Sequence, residues 1–247
     1  MPTDNHGVNR IGGFGDQGIH EESSTQKHSI GEKLELADGR CFRYGYFAAA
    51  TAAGLLVSQD VSAGCVVETD DIATAAAIGA TSVILTDAGT LGSATANQYA
   101  GGYLHITDDA GEGYTYRIKS NTAASSNAVT FTLYDPLVVA LTTASDVAIT
   151  GNMYNNLLGA TAATDTLVSG VTTRVMQASY YGWVQTKGVS TVLADIPVGI
   201  TFGDQLTLSD GVAGAVQLQD AYTEQTVGYS LYTGDDTGHV GVMLNIS

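Results

Sequence analysis

The sequence predicts an all-β protein, and three observations support that class. Glycine accounts for 30 of the 247 residues, a share well above the usual value of about 7%. Short runs of alternating apolar and polar residues recur along the chain, and turn-forming residues separate them. No convincing amphipathic helix appears. We therefore expect short antiparallel strands that form one or two small β-barrel or β-sandwich modules, preceded by an extended N-terminal arm.

The chain is strongly acidic, and its charge is unevenly distributed. Nine basic residues oppose 25 acidic ones, which gives a net charge of −16. Residues 1–45 hold five basic and seven acidic residues, so they contribute −2 and the remaining body contributes −14. Because phosphate binding depends on Lys and Arg, we expect neither nucleic acid nor an anionic membrane as a partner.

Residues 1–32 have almost no hydrophobic pattern. Glycine, serine, asparagine, histidine and charged residues dominate, and apolar residues are isolated. Such a segment cannot bury enough surface to order itself. We expect an N-terminal arm that is either disordered or ordered by a partner, with Ile11, Phe14 and Ile19 as apolar anchors on another chain.

Residues 33–150 are predicted to form a β-rich module. It opens with a hairpin, since Leu34 and Leu36 alternate with polar residues and Asp38-Gly39 is a strong turn signal. A second hairpin is predicted in "YLHITDDAGEGYTYRI", and "NAVTFTL" alternates as a half-buried strand should. An irregular bridge, 151–166, then leads to a small C-terminal β-barrel module at 167–247.

The two cysteines and the N-terminus bear on the compartment. Cys41 and Cys65 are far apart and do not form a zinc-binding motif, so two reduced, buried thiols are the preferred interpretation over a disulfide. No apolar run is long enough for a membrane-spanning helix, and no signal peptide is visible. These features predict a soluble protein made in a cytoplasm.

No motif predicts a catalytic, metal or cofactor site. The acidic turns around Asp108 and Asp235 do not match the calcium-binding loop, and no serine sits in a nucleophile elbow. The GxGxxG at Gly13–Gly18 lacks the flanking strand and helix that a dinucleotide site needs. We therefore expect no enzymatic activity and no cofactor.

An aromatic cluster at Tyr180, Tyr181 and Trp183 is the most distinctive local feature. In a regular strand Tyr181 and Trp183 share one face and Tyr180 points to the other. Core packing is the preferred interpretation, and a protein interface or a sugar-stacking platform are the alternatives.

Residues 180–247 contain the stretches "GWVQTKG", "GDQLTLSDG", "VGYSLYTGDD" and "VGVMLNI". In these stretches the chain resembles the small β-barrel modules of tailed-phage head decoration (cement) proteins. Residues 99–141 are similar to a segment of structural proteins of marine phages. Together the two stretches cover a little under half of the chain.

The resemblance implies a virion structural protein that binds the outer surface of a phage capsid, commonly as a trimer, without enzymatic activity. Its partner would be the major capsid protein of the same virion, and assembly would occur in the host cytoplasm. The N-terminal arm could order in a groove between capsid subunits. Two alternatives remain at this point: a tail, fibre or other capsid component, and a carbohydrate-binding β-domain that uses Tyr181 and Trp183.

Overall fold

The computed structural model describes residues 17–60, 66–86, 91–161, 167–195, 199–221, 224–233 and 238–246, with the backbone alone for residues 66–71. These residues form β-strands and no α-helix, with a 3-10 turn at Leu91–Ser93. The predicted all-β class is confirmed. The strands divide between two compact units, one formed by Met1–Asp60 with Met153–Ser247 and the other by Val61–Asn152.

The first unit is a large mixed sheet. Its strands are β1 (Glu22–Ser23), β2 (Lys33–Glu35), β3 (Cys41–Phe47), β4 (Leu56–Gln59), β11 (Leu157–Gly159), β12 (Val168–Thr172), β13 (Tyr180–Leu193), β14 (Gln205–Leu208), β15 (Val216–Leu218), β16 (Gly228–Ser230) and β17 (His239–Asn245). The second unit holds β5 (Val66–Ile72), β6 (Ser82–Thr86), β7 (Tyr103–Asp108), β8 (Thr115–Asn121), β9 (Ala128–Leu133) and β10 (Asp146–Thr150).

The order of strands in the first unit is β15-β14-β16-β17-β13-β12-β4-β11-β3-β2, and β1 pairs with β13. Strand β3 also pairs with β13, so β13, β12, β4, β11 and β3 close into a ring. Each of these pairings is antiparallel except β11 with β3.

Strand β13 connects two parts of this sheet by changing its partner along its length. Its first half pairs with β3, and from Lys187 onward it pairs with β17. The register with β3 shifts between Gln185 and Lys187. Gly188 follows with a φ of 88°, and a Cβ atom there would lie 2.9 Å from Arg40 Cγ. A glycine is therefore needed where the strand changes partner.

The hairpin predicted at Asp38-Gly39 is confirmed. Strands β2 and β3 pair antiparallel, with Leu34 opposite Phe42. Gly39 adopts a φ of 84°, which a residue with a side chain rarely takes. The Asp38 carboxylate accepts hydrogen bonds from Arg40 N at 3.1 Å and Arg40 Nε at 2.7 Å. In the return strand Cys41 is buried and free, whereas Cys65 lies outside the described residues.

The second unit is a closed barrel with strand order β10-β5-β6-β9-β8-β7, in which β10 and β7 complete the ring. The predicted second hairpin is β7 with β8. Strand β9 alternates as predicted, because Val129, Phe131 and Leu133 are buried in the barrel core.

The division into units differs from the predicted consecutive modules. The hairpin at residues 33–47, which was assigned to the 33–150 module, belongs to the same sheet as β12 to β17. The predicted bridge 151–166 contains β11, while its residues 162–166 lie outside the described part. The barrel is thus inserted within the chain of the first unit, because β4 and β11 on either side of it pair with each other.

Candidate interaction face

Four strands of the first unit present a row of side chains in direct register. Val189 of β13 lies opposite Met243 of β17, and Met243 lies opposite Tyr229 of β16. Tyr229 in turn lies opposite Gln205 of β14. Residues that are directly opposite in antiparallel strands project from the same side of a sheet. Val189, Met243, Tyr229 and Gln205 therefore form one continuous row.

This row lies on the exposed side of the sheet. Val189 is 54% exposed, Tyr229 47% and Met243 42%. In β17 the alternate residues Val240 and Val242 are fully buried in the core of this unit. Because successive side chains of a strand point to opposite faces of the sheet, Met243 points away from this core.

A second row begins beside the first. Thr191 lies opposite Gly241, one alternation along from the pair of Val189 and Met243. A Cβ atom on Gly241 would lie 2.6 Å from Cε1 of Tyr232, so the Tyr232 ring rests against the backbone of β17. We define the outer face as Val189, Thr191, Gln205, Tyr229, Tyr232 and Met243.

The outer face carries little charge. Strands β13 to β17 contain no aspartate or glutamate, although the chain has 25 acidic residues, and Lys187 is their one lysine or arginine. The acids of this region lie in turns instead. Asp204 accepts hydrogen bonds from Thr201 N and Oγ1 at 2.6 and 2.9 Å, and Asp195 accepts one from Ser209 Oγ at 2.6 Å.

Phe202 adds a further exposed apolar side chain near this face. At 75% exposure, it is the most exposed large hydrophobic residue of the described part of the chain. It lies in the turn before β14, and the adjacent Gly203 N donates to Ser230 O at the end of β16 over 2.9 Å. Such an aromatic side chain can act as an anchor in an interface.

Of the predicted aromatic cluster, Trp183 belongs to the core, whereas Tyr180 and Tyr181 are partly exposed. Trp183 is 3% exposed and packs with Phe42 and Tyr44. Tyr181 packs on the same cluster, which confirms that it shares a face with Trp183. Tyr180 lies opposite Phe47, which belongs to a different cluster. Core packing is therefore what the structure shows for Trp183, and its indole is not available as a sugar-stacking platform.

Residues 17–32 cover this cluster. The Trp183 indole N–H donates to Gln17 O at 3.2 Å, and the Tyr44 hydroxyl donates to Gln17 Oε1 at 2.6 Å. Lys27 N donates to the same hydroxyl at 3.1 Å, and burial raises the pKa of Tyr44. The His28 ring lies 4.9 Å from the indole ring, centroid to centroid. This half of the predicted arm is therefore ordered by its own chain.

The Glu22 side chain fixes the same segment to the turn between β12 and β13. Its carboxylate accepts hydrogen bonds from Gln177 N at 2.9 Å and Gln177 Nε2 at 2.8 Å, and it pairs with Arg174 at 3.0 Å. Burial by itself raises the pKa of Glu22, but these partners outweigh it and leave the pKa below its ordinary value.

The three predicted arm anchors have different outcomes. Ile19 packs against the cluster of Phe42, Tyr44 and Trp183, and its carbonyl accepts a hydrogen bond from Thr173 Oγ1 at 2.6 Å. It therefore contacts its own chain rather than presenting a free anchor. Ile11 and Phe14 lie outside the described residues.

The described residues contain no group of three or more His, Cys, Asp or Glu side chains that could hold a metal ion. Asp108 Oδ1 accepts a hydrogen bond from Asp109 N at 2.8 Å within its own turn. Asp235 and Asp236 of the other acidic turn lie outside the described part. No helix among the described residues is long and apolar enough to cross a membrane.

The outer face could not be predicted from the sequence. In "HVGVMLN" Met243 is as apolar as its buried neighbours, so the pattern does not mark it as exposed. Only the strand pairing assigns Met243 to the exposed side of the sheet.

Comparisons with protein-family models, with curated proteins and with solved structures find no match to this chain.

Proposed function

We propose that this protein is a structural component of a tailed-phage virion, a head decoration protein that binds the outer surface of the capsid and stabilises it. It acts as a homo-oligomer, most simply a trimer, with the major capsid protein as its partner. The resemblance of residues 180–247 to decoration-protein modules motivates this function. The outer face is the observation that carries it.

The low charge of the outer face supports a contact between copies of this chain. Copies of a chain with a net charge of −16 repel one another. A contact through Val189, Tyr229 and Met243 buries apolar surface without bringing carboxylates together. Charge depletion with exposed aromatic and methionine side chains is also typical of the core of a protein interface. We assign the outer face to contact between copies of this chain.

The capsid contact is assigned to residues 1–16. Ile11 and Phe14 are the apolar anchors of this proposal, since Ile19 packs on its own chain. If several copies associate through the outer face, their arms bind together, and each holds the others close to their sites. The acidic body then faces solvent and keeps the particles apart.

A glutamate at Met243 tests the contact between copies. Met243→Glu places a carboxylate within the outer face, so a contact between copies through this face would have to bury an unpaired charge. We expect sedimentation velocity to show a monomer for this variant and an oligomer for the unchanged protein. Val175→Glu is the control, because Val175 is 59% exposed in the turn between β12 and β13, outside the outer face. A monomeric unchanged protein, or an oligomeric Met243→Glu variant, would refute the assignment.

Deletion of residues 2–16 tests the capsid contact. The truncation stops at residue 16 because residues 17–32 cover the core around Trp183. We expect the truncated protein to keep its fold and oligomeric state and to lose binding to purified expanded heads in co-sedimentation. Full occupancy of the heads by the truncated protein would show that the contact lies elsewhere.

A further inference from the structure

The outer wall of the barrel carries a second exposed patch. Tyr103 of β7 lies opposite Arg117 of β8 on one side and opposite Thr150 of β10 on the other. The Arg117 guanidinium lies over the ring of Tyr134, with Cζ 4.9 Å from the ring centroid. We define the barrel patch as Tyr103, His105, Arg117, Lys119 and Tyr134.

Both tyrosines of the barrel patch face solvent. Tyr103 is 45% exposed and Tyr134 52%. Leu104, Tyr116 and Ile118, which alternate with the patch residues along the same strands, are buried in the barrel core. The two rings are therefore not needed for core packing. Arg117 lies over one face of Tyr134, yet both rings keep exposed surface on which a ligand can stack.

The barrel patch concentrates the positive charge of its unit. Residues 61–152 contain nine acidic and two basic residues. Both basic residues, Arg117 and Lys119, lie on β8 and are exposed on the same side of that strand. Asp146 and Asp108 lie opposite each other at the other end of β7, roughly 17 Å along the strand from Tyr103 at the usual rise per residue.

The His105 ring is held in a fixed position within the barrel patch. Its Nδ1 is 3.2 Å from Thr115 Oγ1 and its Nε2 is 3.0 Å from Thr150 Oγ1. The His105 and Tyr103 rings lie 6.4 Å apart, centroid to centroid. Two hydroxyl contacts hold the imidazole in place, so a ligand meets a pre-organised surface.

We propose that the barrel patch binds an acidic polysaccharide. The strand of Tyr103 and the chain at Tyr134 flank β8, so the two rings are separated by roughly 10 Å, two strand spacings. Two sugar rings with one further sugar between them can stack their C–H faces on such a pair of platforms, while the carboxylate of the middle sugar pairs with the planar guanidinium of Arg117. Lys119 supplies a second charge along the same polymer.

Charge favours an acidic polysaccharide over a nucleic acid. Nucleic-acid binding depends on several Lys and Arg side chains that follow the phosphates. This unit has two basic residues and nine acidic ones. A carboxylated glycan depends less on cations, because its sugar rings also stack on the two tyrosines. This proposal does not depend on the virion role proposed above.

Isothermal titration of the full-length protein with a tetragalacturonate oligosaccharide tests the proposal. We expect binding that weakens with added salt, and a loss of affinity of about tenfold or more for Tyr103→Ala, Tyr134→Ala or Arg117→Gln. Tyr114→Ala is the matched control, because Tyr114 is 44% exposed but packs on Tyr116 rather than on the barrel patch. Thermal unfolding confirms that each variant is folded.

Three results would overturn the proposal. The first is an absence of tetragalacturonate binding by the unchanged protein. The second is an equal loss of affinity in the Tyr114→Ala control, or no loss in the patch variants. The third is equal or tighter binding of a single-stranded oligonucleotide at the same residues, since the ligand class would then be nucleic acid.

Discussion

At the scale of single residues, the network around Tyr44 and Gln17 connects the N-terminal segment to the sheet. Tyr44 is fully buried, and its hydroxyl both donates to Gln17 Oε1 and accepts from Lys27 N. The Trp183 indole donates to the carbonyl of the same glutamine. Buried polar groups are costly unless they are paired, so these bonds determine how residues 17–32 lie on the cluster.

Removal of the Tyr44 hydroxyl tests this network. Tyr44→Phe leaves Gln17 Oε1 and Lys27 N without this partner, and we expect a loss of about 1–3 kcal/mol in the free energy of unfolding. Tyr134→Phe, at an exposed position of the barrel, is expected to change stability by less than about 0.5 kcal/mol. Chemical denaturation measures both variants, and an equal effect of the two would contradict the role of the network.

A pair of glycines tests the packing behind the outer face. A Cβ atom on Gly228 would lie 2.2 Å from Met243 O, whereas one on Gly159 would meet nothing within 4 Å. Gly228→Ala must therefore push β16 away from β17, and we expect a cost of about 1–3 kcal/mol. Gly159→Ala is expected to be neutral or slightly stabilising, and comparable losses in thermal unfolding of both variants would contradict this packing.

The sequence predicted some residue roles and not others. The shared face of Tyr181 and Trp183 follows from strand periodicity alone, and the structure confirms it. The packing of His28 between Tyr44 and Trp183 could not be predicted, because it depends on a contact between residues more than 150 positions apart. Local pattern carries no signal for such a contact.

At the scale of elements, hairpins were predictable and long-range pairings were not. Asp38-Gly39 and the acidic turn after β7 contain the turn chemistry that their hairpins require. Strand β13 (Tyr180–Leu193) shows the long-range case, because it pairs with β3 up to Lys187 and with β17 from Lys187 onward.

A substitution at Glu22 tests how the N-terminal segment is fixed to the turn between β12 and β13. The folded pKa of Glu22 is below the ordinary value, so its charge stabilises the fold above the unfolded pKa of about 4.3, and that contribution is lost as the pH falls through the folded pKa. We expect Glu22→Gln to be less stable than the unchanged protein at pH 7, with a difference that narrows toward pH 3.

Thermal unfolding across that pH range measures the effect. Glu112→Gln, in the turn between β7 and β8, controls for removal of one negative charge elsewhere in the chain. A stability difference for Glu22→Gln that stays constant or grows with acidification would contradict the assigned role of the carboxylate.

At the scale of the whole molecule, the hydrophobic clusters of the described residues divide between the two units and share no residue. The barrel core draws only on residues 72–149, and the other buried clusters draw on the first unit. The sequence predicted β modules but assigned them in consecutive order. Both units are glycine-rich β structures, so the amino-acid composition does not change where the barrel is inserted. Only the pairing of β4 with β11 shows the insertion.

Excision of the barrel tests this organisation. Asp60 N donates to Asn156 O at 2.9 Å, so the chain ends left by removal of residues 61–152 lie close together. We expect a variant with a short Gly-Ser linker in place of these residues to fold, and the separate fragment 61–152 to unfold cooperatively by circular dichroism. A fragment without a cooperative transition would show that the barrel depends on the first unit.

The central proposal is that this chain acts through its surfaces: the outer face joins copies of the chain, and residues 1–16 reach a capsid. The most direct measurement is the copy number of the protein in purified particles of a tailed phage whose genome carries this sequence, determined by quantitative gel analysis together with particle imaging. We predict an abundant component on the outer capsid surface. Absence of the protein from intact particles would contradict it.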